Sequence, residues 1–171
     1  KHLANKILKE PVRIQIGKIS PTKSVAQVLY PVPQDLKKSL LFAILKQTST
    51  GRVLIFTRTK YKARNLARDL TKRGYRAVAL QGDMSQNKRQ RAIDGFRRTK
   101  YDILVATDVA SRGIDVVDIS HVINYDIPDS SETYTHRIGR TGRASKTGEA
   151  FTFASLEDTR LLREIEKDLG S

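Results

Sequence analysis

The sequence has no cysteine among its 171 residues, which excludes a disulfide scaffold and any cysteine-ligated zinc or iron–sulfur centre. Histidine is nearly as scarce. His2, His121 and His136 are scattered, which argues against a dedicated transition-metal site. No apolar run approaches the length of a membrane span, and no signal-peptide pattern is present. Acidic residues are few: 18 Asp and Glu stand against 32 Lys and Arg, for a formal charge of +14. The length suits one domain of ordinary size, and a hydrophobic content of 39% is enough for its core. The chain opens on Lys1 rather than Met, so it is expected to be a piece of a longer protein.

The charge is unevenly placed. Residues 1–50 carry +7 and residues 51–100 carry +12, whereas residues 101–150 carry −3 and residues 151–171 carry −2. A basic first half fits either a solvated surface or a surface that faces nucleic acid.

Short β-rich apolar runs occur at Val25–Val32, Val53–Phe56, Ala77–Leu80, Ile103–Ala106, His121–Tyr125 and Ala150–Phe153. Helical spacing fills most of the gaps. Helices are expected from Gln34 to Gln47, through Ala63, Leu66, Ala67 and Leu70 up to a stop at Gly74, and from Ser85 to Arg97. Asp129 to Glu132 reads as a capping box opening a further helix, and Leu161, Leu162, Ile165 and Leu169 mark the last one. Strands apolar throughout and separated by helices imply a parallel sheet covered on both faces. Before Val25 the pattern differs: Leu3–Leu8 reads as the end of a helix, Val12–Ile16 as an extended run, and Gly17–Ser24 as a linker.

Ligands of a parallel α/β sheet bind at the carboxyl ends of the strands, and four loops lie there. Thr57-Arg58-Thr59-Lys60 offers hydroxyls and cations at a helix start, suited to phosphate or simply to capping. Gln81 to Arg89 offers Gly82, which lets a backbone approach, and Gln86 and Arg89 on one face of a first helical turn. Ala106 to Asp115 leaves a buried strand with Thr107 and Asp108 and continues to Arg112, Gly113 and Asp115; an Asp here either caps a short helix or accepts from a ribose hydroxyl. His136 to Arg143 places Arg137, Arg140 and Arg143 beside Gly139 and Gly142, a set of fixed guanidinium forks suited to phosphate oxygens. Neither Gly142 to Thr147 nor Gly17-Lys18 completes the glycine-rich phosphate loop, and no Asp-Glu pair stands where it would hold magnesium.

His136–Arg143 reads HRIGRTGR, Ala106–Asp115 reads ATDVASRGID, Gln86 and Arg89 form a QxxR, and Val53–Thr59 reads VLIFTRT. In order and spacing this set resembles the second domain of DEAD-box RNA helicases, closest to the bacterial RhlE-like subgroup. The resemblance covers Val25 to Leu169. It implies a RecA-like three-layer α/β/α sandwich with a mostly parallel central sheet over residues 25–171. Residues 1–24 would be the tail of the first RecA-like domain and the interdomain linker.

The resemblance also implies roles. Arg140 and Arg143 would be catalytic arginine fingers, and Gly113 and Asp115 would bind ATP. His136, Arg137 and Arg112 would couple the two domains. Thr59, Gly82, Gln86, Arg89 and Thr107 would bind RNA backbone. Phe56 is expected to pack beneath the strand end. ATP and Mg²⁺ are the implied ligands, both held mainly by the first domain, with no metal site in this one. The implied partners are RNA and the N-terminal RecA-like domain of the same chain, with no membrane, a monomeric state and a cytoplasmic location. The competing reading is a non-catalytic RNA clamp on the same fold; it needs no paired arginines. An unrelated nucleotide-binding enzyme would need a glycine-rich loop after the first strand, and none is present.

Overall fold

Strand residues 53–56 alternate between two apolar layers, and this alternation organises the molecule. Val53 and Ile55 pack into one hydrophobic cluster, Leu54 and Phe56 into another. The structure is a computed structural model that describes residues 25–48, 51–116, 118–142 and 147–169. The expected segment before Val25, and Arg143, lie outside the described residues.

Six strands form the sheet: β1 (Val25–Pro31), β2 (Arg52–Phe56), β3 (Ala77–Leu80), β4 (Ile103–Ala106), β5 (Ile119–Asn124) and β6 (Gly148–Ala154). Their spatial order is β1-β6-β5-β2-β4-β3, and every pairing is parallel. The helices are α1 (Lys37–Gln47), α2 (Lys60–Lys72), α3 (Gln86–Arg97), α4 (Asp108–Ser111), α5 (Ser131–Ile138) and α6 (Thr159–Leu169). One 3-10 turn, Gln34–Leu36, leads into α1, so the expected helix from Gln34 begins tighter than an α-helix. Leu40, Leu41, Ile44 and Leu45 of α1 join Ala63, Leu66, Ala67 and Leu70 of α2 on one face of the sheet. Ala92 and Phe96 of α3 cover the opposite face. Tyr134 and Ile138 of α5 and Ile165 of α6 close over Val25 and Ala150. This is the three-layer α/β/α sandwich expected from the sequence.

Local chemistry sets the helix ends. Thr59 caps α2 by accepting from the Lys62 amide at 3.2 Å, and Ser85 caps α3 by accepting from the Lys88 amide at 3.4 Å. Gly74 ends α2 at φ +89°, with its amide on the Thr71 carbonyl and the Tyr75 amide on the Leu70 carbonyl. That left-handed stop is the one the glycine promised. The opening of α5 corrects the expected capping box. Ser130, not Asp129, is the cap, and its hydroxyl accepts from the Thr133 amide at 3.1 Å. Asp129 instead accepts from the Thr133 hydroxyl at 3.2 Å, and Glu132 lies one position short of the reciprocal site.

All strands being parallel, their carboxyl ends share one edge. The connection from β4 to β5 passes from one side of β2 to the other, so α4 lies over the end of β2. This strand-order reversal is where such sheets take ligands.

Two phenols give the fold a pH signature. Burial, helped by the charges of Asp126 and Asp69, pushes Tyr125 up to about 12, and burial pushes Tyr134 up to about 12. The native state therefore holds more protons than the unfolded chain between about pH 10 and 12, and these groups make stability fall as pH rises through that window. Lys37 acts below it with the opposite sign: burial, partly offset by Asp158 and Asp126, holds its ammonium below the ordinary 10.5. In chemical denaturation from pH 8 to 12, Tyr134→Phe is expected to lower stability by about 1 kcal/mol at pH 8 through the lost bond to Gln27 and to flatten the alkaline fall. An unchanged alkaline slope would contradict the assignment.

Candidate functional site

Arg137 lies at the centre of the carboxyl edge with only 3% of its side chain exposed. Its Nε donates to Asp108 Oδ1 at 2.6 Å and its Nη2 to Asp108 Oδ2 at 2.7 Å, a bidentate pair. Its Nη1 donates to Asn124 Oδ1 at 3.1 Å and to the Asp126 carbonyl at 2.7 Å. The guanidinium lies 4.9 Å from the centre of the Phe56 ring, so the buried Phe56 serves as its floor. One residue of α5 thereby joins the end of β2, the start of α4 and the end of β5. Asn124 is held in turn by Thr152 at 3.0 Å.

A second group of arginines grips the strap 110–115. Arg89 of α3 donates to the Ala110 carbonyl at 2.6 Å and the Arg112 carbonyl at 3.3 Å. Arg97 reaches the Asp115 carbonyl at 3.1 Å, and Arg140 donates to the Ile114 carbonyl at 2.9 Å. Gly113 turns the strap at φ +78°, a conformation L side chains rarely adopt. Gly113 and Asp115 are both exposed.

Between these groups lies a cleft of about 80 Å³ lined by Phe56, Asp108, Ser111, Arg112, Thr133, His136, Arg137 and Arg140. Four of the singled-out residues, Arg112, His136, Arg137 and Arg140, thus share one cavity. Its cationic donors suit phosphate oxygens. Among the described residues no group of three or more histidines and carboxylates is placed to hold a metal ion. No helix among them is long and apolar enough to cross a membrane.

The remaining singled-out residues line the neighbouring part of the edge. Thr59 and Gln86 are exposed at the starts of α2 and α3. A Cβ added at the exposed Gly82 would meet nothing within 4 Å, so internal packing does not require glycine there. Lys60 pairs with Asp83 at 2.8 Å and ties the loop after β2 to the loop after β3. Thr107 precedes α4, half-buried and without a side-chain capping bond.

Asp126 was not singled out in the sequence, yet it is a hub. Its buried carboxylate accepts from the Arg58 amide at 2.9 Å and from Lys62 Nζ at 2.8 Å, while its carbonyl holds Arg137. Asp158 bonds Lys37 at 3.4 Å and Arg58 at 3.6 Å. Burial would lift the Asp158 carboxyl. Hydrogen bonds from the Ser155 amide and hydroxyl, together with the Lys37 charge, outweigh that and hold it below the usual value. The available signal for Asp126 was an acidic residue directly after an apolar strand, in a loop that follows the same edge.

Comparison with known proteins adds to this geometry. A family model of the helicase conserved C-terminal domain matches residues 36–145. The chain is 44% identical over 168 residues to DEAD-box ATP-dependent RNA helicase 21 of Oryza sativa subsp. japonica, covering 98% of this chain and 23% of that protein. It is 39% identical over 172 residues to DEAD-box ATP-dependent RNA helicase RhpA of Helicobacter pylori, covering 100% of this chain and 35% of that one. The chain therefore spans between 23% and 35% of these curated relatives. Among solved structures, the C-terminal domain of the DEAD-box protein Dbp5 superposes with a TM-score of 0.80 at 32% identity, over 88% of each chain. The E. coli DEAD-box protein SrmB, bound to the regulator RraA, superposes at 0.76 with 38% identity over 85% of each.

The Arg137 junction predicts a large stability effect. A lysine at 137 cannot reproduce the planar fork and would strand Asn124 and the Asp126 carbonyl. Arg137→Lys is expected to lower the unfolding free energy by about 3 kcal/mol in urea denaturation. Asp108→Asn should cost less, because its carboxylate is 36% exposed and water can replace part of the pair.

Proposed function

Since the chain belongs to the DEAD-box helicase C-terminal domain family, we propose that it is the second half of a two-domain, ATP-dependent RNA helicase. In this reading it binds RNA backbone on one side of its carboxyl edge and supplies arginines to ATP on the other. The observation that carries the reading is the strap 110–115. Its carbonyls are held from one side by Arg89 of α3 and from the other by Arg140 beside the cleft. Any shift of the strap is felt at both places.

On the nucleotide side, Arg140 and Arg143 meet the γ-phosphate when a preceding RecA-like domain closes on this one. Guanidinium charge there stabilises the charge that develops on the transferred phosphoryl group, an effect of about 10³–10⁵ in rate for a supplied finger. Gly113 and Asp115 face the ribose and phosphates. Arg137, by fixing Asp108 and the end of β5, holds the wall from which His136 and Arg140 project. Mg²⁺ would be held mainly by the other domain in this scheme.

On the nucleic-acid side, Thr59, Gly82, Gln86, Arg89 and Thr107 contact phosphates and sugar, which gives sequence-tolerant binding. Closure over ATP bends the bound strand. A bent strand no longer pairs with its partner, and the duplex opens locally. Hydrolysis then releases the closed form.

Two experiments test the reading. In the chain joined to its preceding domain, Arg140→Ala or Arg143→Ala is expected to abolish RNA-stimulated ATP hydrolysis while RNA binding persists; the 171-residue chain alone should show none. Survival of hydrolysis in both variants would overturn the assignment of Arg140 and Arg143 as fingers. Separately, Arg89→Glu should weaken RNA binding and flatten its salt dependence, the slope falling by about 1. An unaltered slope would remove Arg89 from the RNA contacts.

A further inference from the structure

Lys60, Arg64, Arg68 and Lys72 are spaced four apart along α2 and form one continuous basic row across its outer surface. The row rises about 6 Å per step and about 18 Å in all. Arg64, Arg68 and Lys72 are exposed, and none pairs with a carboxylate among the described residues. The helix's single acidic residue, Asp69, lies on the flank toward α1, where Lys38 takes it at 2.7 Å. Tyr61 is 58% exposed beside this row, with Lys60 Nζ 5.3 Å and the Arg64 guanidinium 5.6 Å from its ring centre.

This arrangement works against the helix itself. Like charges four apart repel, and the first turn carries Lys60 and Lys62 with no acidic residue where the helix dipole favours one. The buried side, Ala63, Leu66, Ala67 and Leu70, already supplies the packing, so the basic row contributes nothing to the core. An external polyanion is what it does match. The row also has a defined origin. Lys60 stands next to Thr59 and is tied to Asp83 of the loop that contains Gly82, so it begins where the RNA-facing loops end.

We propose that the outer face of α2 is a second RNA track, continuous with the RNA-facing loops after β2 and β3, on which Arg64, Arg68 and Lys72 hold successive phosphates and Tyr61 stacks a base. The inference rests on the RNA reading above. It extends the footprint of the domain down its flank and would keep hold of a strand outside the opened segment. A basic helix also suits an acidic protein segment, but the exposed aromatic between two cations and the junction with the RNA-facing loops favour nucleic acid.

The test uses the 171-residue chain and the triple variant Arg64→Gln, Arg68→Gln, Lys72→Gln, which keeps helix propensity and alters only exposed side chains. Binding of labelled single-stranded RNAs of about 6 and about 20 nucleotides is followed by anisotropy across salt concentrations. The proposal expects the slope of log affinity against log salt for the longer RNA to fall by about 2 in the variant, at about 0.7 for each phosphate lost, while the shorter RNA binds as before. Tyr61→Ala should weaken the longer RNA alone. An unchanged slope for the longer RNA overturns the track. So does loss of polyglutamate binding in the variant with RNA binding intact, which would give the face to an acidic protein. If the unsubstituted chain binds neither RNA, the RNA reading of the domain fails as a whole.

Discussion

The buried guanidinium of Arg137 is the constraint on which the site depends. A charge removed from water in this way is tolerated only when hydrogen bonds surround it, and Asp108, Asn124 and the Asp126 carbonyl supply four of them. Because those partners stand at the ends of β4 and β5, satisfying one side chain fixes α5 against both strand ends. The walls of the cleft follow from that. Phe56 closes the arrangement from beneath, its ring occupying the end of β2 that the loops would otherwise leave open.

The basic character of the chain divides into two kinds of cation. One kind is placed singly, each with a defined acceptor: Arg137 on Asp108, Arg89 on Ala110, Arg97 on Asp115, Arg140 on Ile114. These arginines work as struts, and much of their donor capacity is spent on carbonyls within the domain. The other kind is exposed along α2, where Arg64, Arg68 and Lys72 pair with no carboxylate among the described residues. A net charge of +14 records the sum and conceals the difference. Arg89 shows how the two kinds meet: a residue suited to phosphate by its place in the first turn of α3 also holds the strap that borders the cleft.

Much of the fold was legible because each strand states its own environment. The runs Ala77–Leu80 and Ile103–Ala106 coincide with β3 and β4, since a strand covered on both faces must be apolar throughout. Gly74 marked the end of α2 by its conformational freedom alone. The opening of α5 was misplaced by one residue, because Asp129, Ser130 and Ser131 all cap well and only the path of the chain after Pro128 selects Ser130. The candidate site was legible as a set of loops on one edge. Its pairings were not: nothing in the spacing of Asp108 and Arg137 along the chain announces a bidentate pair at 2.6 and 2.7 Å.

The sequence by itself determined the layers, the direction of the strands and the list of residues at their carboxyl ends. Those depend on periodicity, glycine and capping chemistry, which act within a few residues. The tertiary structure decided that Asp126 is a hub, that Arg89 and Arg140 grip one strap from opposite sides, and that Arg137 is buried while His136 beside it is exposed. These outcomes depend on the strand order β5-β2-β4, which brings the ends of strands far apart in the chain within hydrogen-bond reach. Hydrogen bonds act over about 3 Å, so only the arrangement in space settles which donors find which acceptors.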